Sequence, residues 1–209
     1  MWTLLSRHCI AVVLLLHPSL HAQSCPAADS AIGSAKDKAQ LKASYDKFAD
    51  TTTLESKAQP YAFMGANEIM RLSFVARHPG QAPAAMMAAL HLKATHEIYG
   101  HAQASQMPDR FSDSSVAIVL ADSARLSLPG SGHRAKRFQT NVLGPPTIDE
   151  DVYFSLPVSQ LAAIARARTG GVRIGEFDMP MEKTLAQAAA VTYRTMVCAP
   201  GYTPSAGAN

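Results

Sequence analysis

The residues of this chain whose types could do chemistry gather most densely at His96-Glu97-Ile98-Tyr99-Gly100-His101, two imidazoles around a carboxylate. Neutral imidazoles can hold a metal, the metal lowers the pKa of bound water towards about 7, and a nearby carboxylate can take the proton. The spacing does not suit a regular helix. Residues five apart on a helix point about 140° away from each other, whereas residues four apart differ by only about 40°. A zinc centre also needs a third protein ligand. Glu150 and Glu176 are the nearest downstream candidates, and each lies in a segment that reads as strand or strand edge.

Other chemically suggestive residues have plainer readings. Ser, His and Asp are present, but no Gly-x-Ser-x-Gly elbow accompanies them, so a hydrolase triad is not indicated. His91 falls on the polar parity of its run and reads as an exposed surface residue. Asp149-Glu150-Asp151 reads as a solvated acidic edge, because three consecutive acids converge on one point only in a tight turn. His133 to Arg137 is the densest basic stretch; without interleaved aromatics it reads as a solvated loop, not a nucleic-acid surface. Gly170-Gly171 and Gly175 lack a phosphate-loop signature and fit a helix stop and a strand break.

The elements that must position these residues are mostly strands. Met70, Leu72, Phe74 and Ala76 alternate with Arg71, Ser73 and Arg77, the period of a half-buried strand, and His78-Pro79-Gly80 stops it. Val116, Ile118 and Leu120 alternate less cleanly because Val119 is apolar too, which predicts a strand buried on both faces. Asp122-Ser123 turns it into Arg125 to Leu128, and Pro129-Gly130 closes the hairpin. Val152, Phe154 and Leu156 against Tyr153 and Ser155 predict another strand. Ser155 can then cap a helix with Pro157 near its first turn and an apolar stripe of Val158, Leu161, Ala162, Ile164 and Ala165, ending at Gly170-Gly171. After a strand at Val172 to Ile174, Asp178 and Pro180 open a second helix whose core face is Met181, Leu185, Ala188, Ala189, Thr192 and Met196.

The segment around His96 admits two readings. Met87, Leu90, Ala94 and Ile98 share a helical face, yet Leu90, Leu92 and Ala94 alternate with His91, Lys93 and Thr95 as a strand does. On a strand, His96 and His101 leave from opposite faces. A regular helix from Ala84 to Tyr99 would instead reopen the catalytic reading.

At the front, Trp2 to Arg7 gives a short basic start, Cys9 to Leu16 an apolar run, and Leu20-His21-Ala22 small-residue cleavage before Gln23, the features of an export leader. Its removal leaves roughly 185 residues, enough for one domain with its own core. The formal net charge of +3 then falls to about +2, with acids and bases interspersed, so nucleic-acid binding is not implied. Cys9 leaves with the leader. In an oxidising compartment the two remaining cysteines, Cys25 and Cys198, are expected to pair. The alternative use of Cys25 is a lipid anchor, but Ala22-Gln23-Ser24 lacks the aliphatic residue usual before a lipidated cysteine.

Two resemblances add to this reading. The run HEIYGH is similar to the HExxGH zinc motif of the dipeptidyl peptidase III family. That resemblance implies His96 and His101 as zinc ligands and Glu97 as general base; the family's third ligand comes from a glutamate-rich helix motif not found in this chain. Over residues 45 to 197 a longer succession runs in order: Asp46-x-Phe48 with Asp50-x-Thr52-Thr53, Leu72-x-Phe74 with Arg77-x-Pro79, Leu90-x-Leu92-x-Ala94-Thr95, Val119-Leu120-Ala121-Asp122, and the pattern from Val152 to Met179. It resembles a group of small exported bacterial α+β domains of unknown function, often found on lipoproteins and secreted proteins. The group carries no known catalytic residues, so the resemblance implies a fold and no chemistry.

The sequence therefore predicts an α+β fold, an antiparallel β-sandwich-like sheet with two C-terminal helices packed on it. Residues 1–22 are a signal peptide, 23–49 an N-terminal extension able to hold a short helix, 50–198 a single domain, and 199–209 a flexible tail. The preferred function is a non-enzymatic exported domain, periplasmic or secreted, that binds a protein, an envelope component or a small ligand. No nucleic acid, cofactor or metal is expected, nor any transmembrane segment once the leader is removed. The alternative is a zinc-dependent metallopeptidase built on His96, Glu97 and His101.

Overall fold

A computed structural model describes residues 41–63, 68–82, 84–97, 108–139 and 145–199. The strands are β1 (Lys42–Asp46), β2 (Thr51–Glu55), β3 (Gln59–Phe63), β4 (Glu68–Pro79), β5 (Met87–Glu97), β6 (Val116–Ala121), β7 (Ala124–Gln139), β8 (Pro146–Ser155), β9 (Gly170–Ile174) and β10 (Phe177–Pro180). Helix α1 (Val158–Arg166) follows β8 and α2 (Lys183–Val197) follows β10. Every strand pairing is antiparallel, in the order β1-β2-β4-β5-β8-β7-β6-β9-β10, with β3 beside β4 in line with β2.

The inward parity of the strands builds the core. Met70, Leu72, Phe74 and Ala76 of β4, Leu90, Leu92 and Ala94 of β5, and Val152 and Phe154 of β8 are buried together with Val119, Leu128, Val172, Ile174 and Met179 from the other half of the sheet. The two helices pack on each other, α2 against β4 and α1 against β6. Leu161, Ala162 and Ile164 of α1 and Leu185, Ala188, Ala189, Thr192 and Met196 of α2 are buried as predicted, whereas Val158 and Ala165 are only partly covered and Met181 precedes α2. Fully burying each such Leu, Ile, Phe or Met stabilises by about 1.5–3 kcal/mol. Tyr61 ties the halves together: its hydroxyl donates to Pro180 O at 2.8 Å, and burial, followed by the nearby Glu182, pushes its pKa up to about 12.

Several expectations need correction. Lys42–Asp46, placed in an extension or short helix, is the edge strand β1. Strand β6 is one-sided: Ala117, Val119 and Ala121 are buried while Val116 and Leu120 are exposed, because the inner parity carries small side chains under the helix layer. Pro129-Gly130 does not end the hairpin. There β7 leaves its pairing with β6 and continues against β8 through a bulge between Gly130 and Gly132. The basic stretch His133 to Arg137, read as a loop, is therefore strand. Asp178 and Pro180 belong to β10, where Asp178 binds Arg173 across the hairpin, and α2 begins later. Ser155 does not cap α1; Pro157 occupies the cap position without a side-chain bond.

Candidate functional site

The β5 strand decides where the suspected metal motif goes. His96 sits on the inward parity with Leu90, Leu92 and Ala94 and is buried, whereas Glu97 is exposed on the other face. His101 lies outside the described residues. Among the described residues, no group of three or more His, Cys, Asp or Glu is arranged to hold a metal ion.

His96 instead enters a buried polar cluster at one end of the inner sheet face. Register places it opposite Glu68 on β4, and Glu150 on β8 lies diagonally across, opposite Ala94. Glu150 is fully buried. Its carboxylate accepts hydrogen bonds from His133 Nε2 at 2.8 Å, from the Arg110 backbone N–H at 3.1 Å, and from the Phe111 N–H at 3.1 Å. His96 Nε2 stands 2.7 Å from Glu150 Oε2, the shortest of these contacts. Burial alone would raise the Glu150 pKa; the donors from His96, Phe111, His133 and Arg110 outweigh it and hold the carboxyl below its ordinary value.

Glu68 is the counterpart. It pairs with the Arg110 guanidinium, which also reaches Glu176 at 2.9 Å and lies 5.3 Å from the Phe177 ring centroid. Burial still wins there, and the Glu68 pKa is raised despite Arg110 and His96. Glu68 Oε2 and His96 Nδ1 have no hydrogen-bond partner among the described residues. Arg110 thus spans two buried acids, one through its backbone and one through its side chain, and pins the segment after residue 107 over the sheet end.

A second cluster occupies the outer face of the same strands. His91 Nδ1 lies 3.0 Å from Glu55 Oε1 and Nε2 lies 3.0 Å from Asp151 Oδ1. Each ring nitrogen of His91 therefore faces a carboxylate, one from β2 and one from β8. The Ser73 hydroxyl donates to Glu55 at 2.7 Å and is 3.3 Å from His91 Nδ1. These are the residue types of a hydrolase triad in a different arrangement: the imidazole has no free nitrogen to take a proton, and Ser73 is buried. The hydrogen bond from His91 is the chief cause of a lowered Glu55 pKa, opposed by burial and aided by Ser73. His91 stacks on Tyr153 with ring centroids 4.5 Å apart, and the Arg77 guanidinium also lies 4.5 Å from the Tyr153 centroid.

Beside this stack is a groove of about 390 Å³, with Val75, Met87 and Ala89 supplying apolar surface and Arg77 and Arg134 at its walls. A larger groove of about 530 Å³ lies on the outer face of β6, β9 and β10, over Ile118, Leu120 and Gly171.

Two predicted surface residues are thus interior. His91 does lie on the outward parity, but flanking Glu55, Asp151 and Tyr153 side chains cover it. Asp149, Glu150 and Asp151 do not form one acidic edge: Asp149 accepts from Thr95 and Asp151 from His91 on one face, while Glu150 turns inward. The signal was present in the alternation, since Glu150 shares the parity of Val152 and Phe154, and Glu68 that of Met70 and Leu72. Arg110, Arg77 and Arg134 carried no comparable signal. Of the acids considered as a third metal ligand, Glu150 adjoins His96, and Glu176 meets the cluster through Arg110. Comparison with models of known protein families, with curated proteins and with solved structures finds no match.

Proposed function

We propose that this chain is an exported binding domain whose role is recognition and not turnover. The observation that supports it is the state of the two clusters. In the outer cluster His91, Glu55, Asp151 and Ser73 engage one another, and in the inner one Glu150 is held by His133 and two backbone N–H groups, while the groove beside Tyr153 offers guanidinium groups to solvent. Export rests on the leader-like residues 1–22, which lie outside the described residues. No helix among the described residues is long and apolar enough to cross a membrane.

The peptidase alternative is the weaker reading because Glu97 and His96 leave β5 from opposite faces, so a base at one cannot serve water on a metal held by the other. The test is to express the protein with its leader, fractionate the cells, and analyse the exported material purified without chelator. The reading expects protein outside the cytoplasm, less than about a tenth of a zinc per chain, and a bound small molecule or partner in native mass spectra. Stoichiometric zinc that disappears in His96→Ala, with peptide hydrolysis abolished in Glu97→Gln, would replace it with the peptidase.

A further inference from the structure

We infer that the groove beside Tyr153 binds a small amphiphilic organic anion, its acidic head held by Arg77 and Arg134 and its apolar body lying on Met87 and Ala89. This deepens the binding reading above and rests on it. Arg134 is exposed and has no ion-pair partner among the described residues, although Asp151 sits opposite it in register. Asp151 and Glu55 each face a ring nitrogen of His91, at 3.0 Å, and neither makes an ion pair with Arg77 or Arg134 among the described residues. The Arg77 guanidinium lies 4.5 Å from the Tyr153 ring centroid at the groove wall, and a guanidinium is the group suited to engage two acceptor oxygens.

The rest of the surface selects for an apolar body. Met87 is 78 % exposed, an uncovered flexible thioether at the end of β5, and Val75 and Ala89 lie opposite each other in register beside it. A volume near 390 Å³ falls in the range of about 300–1,000 Å³ usual for small-molecule sites. A bulky partner is not needed to fill it. The opposite charge is disfavoured because a cationic head would face two guanidinium groups. A bare inorganic or short-chain anion would leave the apolar surface in water.

Octanoate is the probe, with octylamine reversing the head charge and acetate removing the body. Titration of the purified exported protein should show saturable octanoate binding tighter than about 1 mM, with neither control binding comparably. Arg134→Gln and Arg77→Gln should each weaken octanoate by about tenfold or more, the loss of one charge-assisted contact. Arg134→Gln should do so with an unchanged melting temperature, and Arg125→Gln, in the larger groove, should leave affinity unchanged. Absence of octanoate binding, equal binding of octylamine or acetate, or sensitivity to Arg125→Gln but not to Arg134→Gln would overturn the inference. A different molecule recovered from exported protein would leave the binding reading standing while this inference falls, whereas retention in the cytoplasm bears only on export.

Discussion

Glu150 and Glu68 occupy the same buried cluster and answer to opposite balances of force. Glu150 has enough donors to overcome its desolvation, so its folded-state pKa is lowered; Glu68 does not, so its pKa is raised. The lowered group contributes stability that is fully present above its unfolded value and is lost as pH falls through the folded one. The raised group does the reverse: it costs stability while ionised, and the cost is relieved as acid protonates it. Glu150→Gln should therefore destabilise by about 3 kcal/mol or more at pH 7, leaving His96 and His133 without their shared anion. The deficit relative to wild type should shrink as pH falls below the ordinary carboxyl value of 4.5, which urea titrations at pH 7 and pH 4 would measure. Glu68→Gln should stay within about 1 kcal/mol of wild type at pH 7, since Arg110 is partly exposed and keeps Glu176. An equal loss in both variants would contradict the opposed balances. Residues of this kind were only partly legible in the sequence. Parity could place Glu150 and Glu68 inside, but the donors that make burial tolerable come from β5, β7 and the segment at Arg110, and no local pattern announces a long-range partner.

At the scale of elements, strands with clean alternation were legible and the joints between them were not. The Met70 to Ala76 parity gave both the strand and its buried face, because a half-buried surface writes its own period into the chain, whereas the Leu90 to Thr95 parity competed with a helical face and only the structure makes it strand. In β6 the outer residues are the larger ones, so hydropathy predicts burial on both faces where only one is covered. Pro129-Gly130 carries an ordinary turn signature, yet the chain passes straight on because Gly130 N–H donates to Ser115 O and the strand finds a new partner in β8. The glycine is needed for proximity: a Cβ there would stand 2.3 Å from Asp113 O and 2.8 Å from Ser115 O, both backbone atoms unable to swing aside. Gly132, on the other side of the bulge, would place its Cβ 3.8 Å from a Tyr153 ring carbon, an ordinary contact. Gly130→Ala should consequently destabilise by about 2–3 kcal/mol and lower the melting temperature by roughly 4 to 12 °C, while Gly132→Ala should shift it by no more than about 2 °C. Calorimetry of the two variants side by side checks this, and a tolerated Gly130→Ala would mean that β7 can bend elsewhere.

For the molecule as a whole, the α+β class and the two C-terminal helices followed from periodicity, but the sheet order did not, because β5 meets β8 and β8 meets β7 across stretches whose pairing no local pattern encodes. The same long-range character frames the proposed bridge between Cys25 and Cys198. Cys198 is the C-cap of α2, whose inner face is already buried, whereas Cys25 lies outside the described residues. With Leu185, Ala188, Ala189 and Met196 in the core, α2 docks by its own apolar contacts, so the bridge would act as a staple on a formed domain and not as its condition. Loop-entropy arguments give about 5 kcal/mol for closing so long a segment, with measured effects commonly nearer 2–4 kcal/mol. Exported protein should gain the mass of two hydrogens on reduction and should keep its circular dichroism at 25 °C. Its melting temperature should drop by roughly 5 to 15 °C. Cys198→Ser should reproduce the drop and make the protein insensitive to reductant. Two alkylatable thiols in the exported, unreduced protein would remove the bridge, and a reduced chain that loses its sheet signal altogether would show that the covered face of α2 is insufficient to hold the domain together.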